Sequence, residues 1–143
     1  MTPSVLISGF RPSDTEAVVR LWGECGLVVP WNDPRRDIER KLEHQPELFL
    51  VGRVSGELVA SVMAGYEGHR GWLNYLAVAP RLRRRGIGRR MVAEAETRLR
   101  AMGCPKINLQ IRTGNAAVID FYRALGFAAD DVISMGKRLE HDE

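Results

Sequence analysis

Trp72-Leu73-Asn74-Tyr75-Leu76-Ala77-Val78 is an apolar stretch that leads, through Ala79-Pro80, into Arg81-Leu82-Arg83-Arg84-Arg85-Gly86-Ile87-Gly88-Arg89-Arg90. Met91-Val92-Ala93-Glu94-Ala95-Glu96, a run of good helix formers, comes next. The order reads as a strand, a glycine-containing basic turn and a helix. A turn that opens a helix leaves backbone N–H groups without intrahelical acceptors, with the positive end of the helix dipole behind them. Gly86 and Gly88 bring no Cβ to hold an anion away from the backbone. The combination predicts a phosphorylated cofactor as ligand.

Outside this turn the chain is unremarkable in charge. The net charge is +3, yet six of the 21 Lys and Arg residues lie at 81–90, and the other fifteen face 18 acidic residues. Positive charge so confined suits a compact polyanion better than a long nucleic-acid track. At 143 residues with 45% hydrophobic content, the chain is long enough for one domain with a real core. Cys25 and Cys104 form no CxxC or zinc pattern, and His44, His69 and His141 are scattered, so no metal is expected. No apolar run approaches the roughly 20 residues of a membrane span and no leader is evident, so the expectation is a cytoplasmic protein without a membrane partner.

Working outward, residues 5–10 read as a first strand. Ser13-Asp14-Thr15-Glu16 reads as a capping box that starts a helix ending near Gly26. Asp33 and Pro34 are suited to the N-cap and first position of a second helix reaching about Gln45. Residues 48–54 and 58–66 are β-rich and joined at Ser55-Gly56, a hairpin signal. After the helix that follows Gly86, Ile107, Leu109 and Ile111 alternate with polar residues in a strand at 106–112. Asn115 caps a short helix ending before Gly126, and residues 127–139 supply one or two closing strands. The order β-α-α-β-β-β-α-β-α-β predicts an α/β (α+β) fold, one domain over residues 1–143 with helices on the faces of a mixed sheet.

This order, with Arg83-x-x-Gly86-x-Gly88 after Leu76-Ala77-Val78, resembles the GNAT superfamily of acetyl-CoA-dependent N-acetyltransferases. Asn115-Ala116-Ala117-Val118-Ile119-Asp120-Phe121-Tyr122-Arg123-Ala124-Leu125-Gly126-Phe127 is similar to the family's Asn-x6-Tyr-x3-Gly-Phe segment. Pro30-Trp31-Asn32-Asp33-Pro34, the segment from Gly65 to Gly71 and Gly103-Cys104-Pro105-Lys106-Ile107 resemble the small bacterial YpeA branch. The resemblance implies acetyl-CoA as co-substrate, with its pyrophosphate on Arg83, Arg84, Arg85, Gly86, Ile87, Gly88 and Arg89. It puts the pantetheine arm along Leu76, Ala77 and Val78, a further cofactor contact at Asn115, and a splay between the strands at 72–78 and 106–112. A backbone N–H in that splay would polarise the thioester carbonyl.

The resemblance also makes Tyr122 the general acid, a phenol protonated at neutral pH; read without the motif, it is a core aromatic beside Phe121. Some relatives carry a glutamate base where this chain has Gln110, which takes no proton, so Glu67, His69, Asp33 and a water relay stay open as routes for the amine proton. Trp31, Glu67 and His69 are the candidates for the acceptor side, with Tyr66 as a further wall. The acceptor, a small-molecule or protein amine, is unspecified, and a homodimer is compatible with the small size. Two alternatives stand beside catalysis: a non-catalytic acyl-CoA sensor, and a nucleic-acid-binding module built on residues 81–90. The second lacks aromatics interleaved with its arginines. A Walker loop and a dinucleotide fingerprint both fail, the latter because Met91 stands where a third glycine is needed.

Overall fold

A computed structural model describes residues 4–142. β1 (Leu6–Gly9) leads through a 3-10 turn at Pro12–Asp14 into α1 (Thr15–Glu24) and then α2 (Pro34–Leu42). Next come β2 (Phe49–Val54), β3 (Glu57–Tyr66) and β4 (Gly71–Val78), followed by α3 (Ile87–Ala101), β5 (Ile107–Asn108) and α4 (Ala116–Ala124). The five strands lie in chain order in one sheet. β1 to β4 pair antiparallel, and β5 joins β4 in parallel, which makes the sheet mixed as expected.

Local sequence explains most of the boundaries. Asp33 N-caps α2 by accepting from the N–H groups of Arg35 (3.0 Å) and Arg36 (3.4 Å), with Pro34 at the first position. Ser55 and Gly56 both take positive φ (51° and 81°), the geometry of a two-residue hairpin turn that matches strand twist. α3 buries Ile87, Met91, Val92, Ala95 and Leu99 along one face against β3 and β4. The opposite face of the sheet receives α1, whose Trp22 is fully buried beside Phe49.

Four expectations need correction. The Ser13 capping box does not form. Asp14 instead accepts from the Arg11 N–H at 3.0 Å and pairs with Arg53, while Glu16 is drawn to Arg35. α2 stops at Leu42, short of Gln45, which turns into the left-handed region at φ 54°. β5 is two residues long where 106–112 was expected, because its ladder with β4 ends at Trp72↔Asn108. Finally, residues 127–139 form no strand. Phe127 packs on the core, but no layer covers the apolar side chains beyond it, and Val132, Ile133, Met135 and Leu139 are all more than three-quarters exposed. The segment is fastened by side chains, Lys106 to Asp130 at 2.9 Å and Gln110 Nε2 to Ser134 Oγ.

Candidate active site

The basic turn has the shape its sequence promised. Arg84 (φ 63°) and Gly86 (φ 83°) are both left-handed, and Gly86 is the N-cap of α3. Glycine has no side chain to cap the helix, so none covers the first-turn amides. Arg81 is paired with Glu57 at 2.6 Å, whereas Arg83, Arg84, Arg85, Arg89 and Arg90 are exposed and make no ion pair among the described residues. Uncapped amides and unneutralised guanidinium groups thus converge on one patch, and the residues present fit a phosphorylated group.

The two glycines have different reasons. At Gly86 the backbone itself demands glycine. At Gly88, which is helical, a Cβ would lie 3.2 Å from Phe121 Cζ and 3.6 Å from Val78 Cγ2. Its missing side chain is thus explained by the approach of α4 to α3, a packing reason the sequence reading did not supply.

β4 and β5 pair only at Gly71↔Ile107 and Trp72↔Asn108, then part company. From Leu73 to Val78 the β4 edge toward β5 therefore carries backbone groups outside the sheet ladder, with Leu76 and Val78 half-buried and Ala77 buried. On its other side β4 is irregular too. Ser61 pairs with Ala77 and Met63 with Asn74, so Tyr75 and Leu76 together oppose the single residue Val62. Tyr75 sits in this bulge at φ 52°, an unusual conformation for a bulky residue.

α4 brings the downstream motif to the same region. Asn115 caps it by accepting from the Val118 N–H at 3.3 Å, so its carbonyl oxygen is already engaged. Tyr122 is the buried residue of α4, 7% exposed, with Phe121 and Phe127 edge-on at 5.0 and 5.4 Å. Burial pushes its pKa up to about 12, which keeps the phenol protonated. Tyr122 is thus a core aromatic whose phenol stays protonated at neutral pH.

The proposed acceptor residues do not all meet. Trp31 is 43% exposed, carries the Arg112 guanidinium over its ring at 5.6 Å, and lines an open cavity of about 640 Å³ with Arg40, Lys137, Arg138 and Glu140. Glu67 and His69 are not among the lining residues; both are at the exposed tip of the β3–β4 hairpin. There Glu67 Oε1 accepts the N–H groups of His69 (2.6 Å) and Arg70, which holds its carboxyl below the usual range. That is a turn-closing role. Asp33 is occupied as a helix cap, and Gln110 is tied to Ser134.

What the sequence reading missed is the support beneath the β4 bulge. Trp22 Nε1 donates to Ser61 Oγ (2.8 Å), and Ser61 Oγ donates to the Tyr75 carbonyl (2.9 Å). The Tyr75 ring stacks on Trp22 with centroids 3.8 Å apart, and its hydroxyl donates to Asp37 Oδ2 at 2.6 Å. A tyrosine at positive φ leaves no mark in sequence, since its β-propensity argues for a regular strand. Asn108 Oδ1, at the point where β4 and β5 separate, is buried without a partner. Among the described residues no helix is long and apolar enough to cross a membrane, and no cluster of His, Cys, Asp or Glu could hold a metal ion.

The comparisons with known proteins agree with this geometry. Residues 15–127 match the model of the acetyltransferase (GNAT) family. An acetyltransferase of Pectobacterium atrosepticum is 53% identical over 133 residues, which are 93% of this chain and 94% of that protein. Among solved structures, Ard1 from Thermoplasma volcanium superposes with a TM-score of 0.75 at 26% identity, over 87% of this chain and 82% of that one. AAC(6')-Iy, solved with the bisubstrate analogue CoA-S-monomethyl-acetylneamine, gives 0.74 at 19% identity over 94% and 99%. With its family model, its curated relatives, its uncapped basic turn and its parted strands in accord, the chain belongs to the GNAT family of acetyltransferases.

Proposed function

We propose that the protein transfers the acetyl group of acetyl-CoA to a primary amine by direct attack within a ternary complex. The observation that carries the reading is the succession of two features. The open edge of β4 from Leu73 to Val78 leads, through the 3-10 turn at Pro80–Leu82, into the uncapped, arginine-rich start of α3. A pyrophosphate held at residues 83–89 places an attached pantetheine arm along Leu76, Ala77 and Val78. The bound cofactor supplies an acyl group already activated as a thioester.

The protein's own part is positioning and charge control. A backbone N–H of the β4 bulge donates to the thioester oxygen as negative charge gathers there. The amine nitrogen bonds to the acetyl carbon, the carbon–sulfur bond breaks, and Tyr122 gives its proton to the departing sulfur. The amine's own proton leaves through water: Glu67 closes the β3–β4 turn, Asp33 caps α2, and His69 lies at the exposed tip of that turn, outside the lining of the cavity beside Trp31. Trp31 and the cavity beside it form the acceptor entrance.

An acetyl-CoA turnover screen across amino acids, polyamines, peptide N-termini, lysine side chains and aminoglycosides, read by mass spectrometry of the product, tests the reading. The expected result is an amide product from at least one class. Acetyl-CoA binding without turnover by any amine would overturn it in favour of an acyl-CoA sensor.

A further inference from the structure

Tyr75 is held from three directions, each by a different element. Its ring lies on Trp22 of α1, its carbonyl accepts from Ser61 of β3, and its hydroxyl reaches Asp37 of α2 at 2.6 Å. Asp37 is itself fixed by Arg40, whose Nη1 donates to its other oxygen at 3.1 Å. Arg40 is bound in turn by Asp142 at 2.8 Å. These contacts converge on a residue whose backbone is in the left-handed region at φ 52°. A bulky side chain stays there only when its surroundings over-determine it.

The location gives the restraint a purpose. Tyr75 and Leu76 are the two residues of β4 that oppose Val62 alone, and they lie beyond the last β4–β5 pair. The direction in which the bulge points its amides is therefore set by what grips Tyr75, namely Trp22, Asp37 and the Ser61 hydroxyl, since residues 75 and 76 have no ladder pair of their own.

We infer that Asp37 and Tyr75 form a clasp that positions the β4 bulge for acetyl transfer, so that α2 takes part in polarising the thioester carbonyl. Both are positioning residues. The inference rests on the acetyl-transfer reading above and adds a role for α2, which also supplies Arg40 to the lining of the cavity beside Trp31. The hydroxyl contributes as a hydrogen-bond donor, and Asp37 contributes as an acceptor of fixed orientation. Asp37 uses both carboxylate oxygens, one for Tyr75 and one for Arg40, so an amide with its single acceptor oxygen keeps only part of the role.

The test uses the carbonyl stretch of acetyl-CoA, labelled with ¹³C at the thioester carbon and bound to the full-length protein, in difference infrared spectra. In the wild type the band should lie below that of free acetyl-CoA. Tyr75→Phe keeps the ring on Trp22 and deletes only the hydroxyl, and Asp37→Leu deletes the acceptor. Both should return the band toward its free position and lower kcat about 10- to 100-fold, with the acetyl-CoA dissociation constant unchanged. Asp37→Asn, which keeps one acceptor oxygen, should fall between the wild type and Asp37→Leu in band position and kcat. The double variant Asp37→Leu/Tyr75→Phe should be no worse than either single one. A Tyr75→Phe protein with wild-type band and kcat would overturn the clasp, as would multiplicative losses in the double variant or an Asp37→Asn as damaged as Asp37→Leu. A band that follows these variants in a protein that acetylates no amine upholds the clasp and rejects the transfer reading. Turnover with a band at its free position in the wild type does the reverse.

Discussion

Gly88 of α3 faces the ring of Phe121 on α4 so closely that a Cβ at position 88 would come within 3.2 Å of Cζ. Phe121 is the sequence neighbour of Tyr122 and packs edge-on against it. The contact therefore links the helix that opens at the basic turn to the helix that carries the candidate acid.

Gly86 and Gly88 should fail in different ways when substituted. Gly86→Ala forces an L-residue to φ 83°, with a cost of about 1–2 kcal/mol and a distorted anion turn. Gly88→Val drives side-chain atoms into Phe121, an overpacking of about 1–3 kcal/mol. Calorimetric titration and melting curves should show Gly86→Ala weakening CoA chiefly at the turn. Gly88→Val should lower both Tm and kcat, because α4 is displaced.

The arginines of the turn divide by their partners. Arg84→Ala or Arg89→Ala should weaken CoA binding by roughly fivefold, in line with about 1 kcal/mol for an exposed charge pair, and the effect should shrink at high salt. Arg81→Ala should leave affinity nearly unchanged, since Arg81 is already bound to Glu57. Dissociation constants at two salt concentrations check both statements.

Tyr122→Phe should reduce kcat by roughly 10²–10⁴ with acetyl-CoA affinity intact, read in single-turnover experiments if product release is slow. The pH dependence has a definite sign. Burial raises the phenol pKa to about 12, so its protonated form persists well past its ordinary value of 10. The wild-type rate should accordingly show no loss from this group near pH 10. Stability runs with the same shift. The unfolded chain releases the phenolic proton first, so the contribution is complete below pH 10 and is lost as pH rises toward 12. Tyr122→Phe should flatten that fall in Tm.

Trp31 and Glu67 should separate in kinetics. Trp31→Ala opens the wall of the acceptor cavity and frees Arg112, which should change the acceptor KM without altering the acetyl-CoA dissociation constant. Glu67→Ala removes the acceptor of two backbone N–H groups in the β3–β4 turn, an exposed site where water takes over part of each bond. Its effect should appear in Tm, with KM unmoved.

Local chemistry was legible wherever a short rule governs the outcome. Asp33-Pro34, Ser55-Gly56 and the turn at Gly86 are each decided within a few residues, and each formed as expected. The Asn115 cap was readable for the same reason. The reading failed where tertiary contacts compete. Glu16 was claimed by Arg35, a residue on another helix, before it could close a capping box on its own. Residues 127–139 were expected to close the sheet, but a strand needs a partner edge, and β5 separates from the sheet after Asn108. Tyr75 is the clearest case. Its grip by Trp22, Ser61 and Asp37 spans residues up to 53 positions apart from one another, a relation that no local pattern announces.

The short β4–β5 ladder also has a thermodynamic consequence. The cofactor turn belongs to the firmly anchored part of the molecule, since α3 packs along β3 and β4. Tyr122 and Asn115 ride on the part that joins the sheet through two residue pairs. These two portions need not open together: residues from 109 onward should exchange their amide hydrogens through local openings that leave the first four strands closed. A ligand laid along the free edge of β4, in touch with α4, acts as a stitch between them. On the acetyl-transfer reading, the protein should reach its full cooperativity only while occupied, and each release of product should return it to a looser state from which the next substrate must reassemble the site.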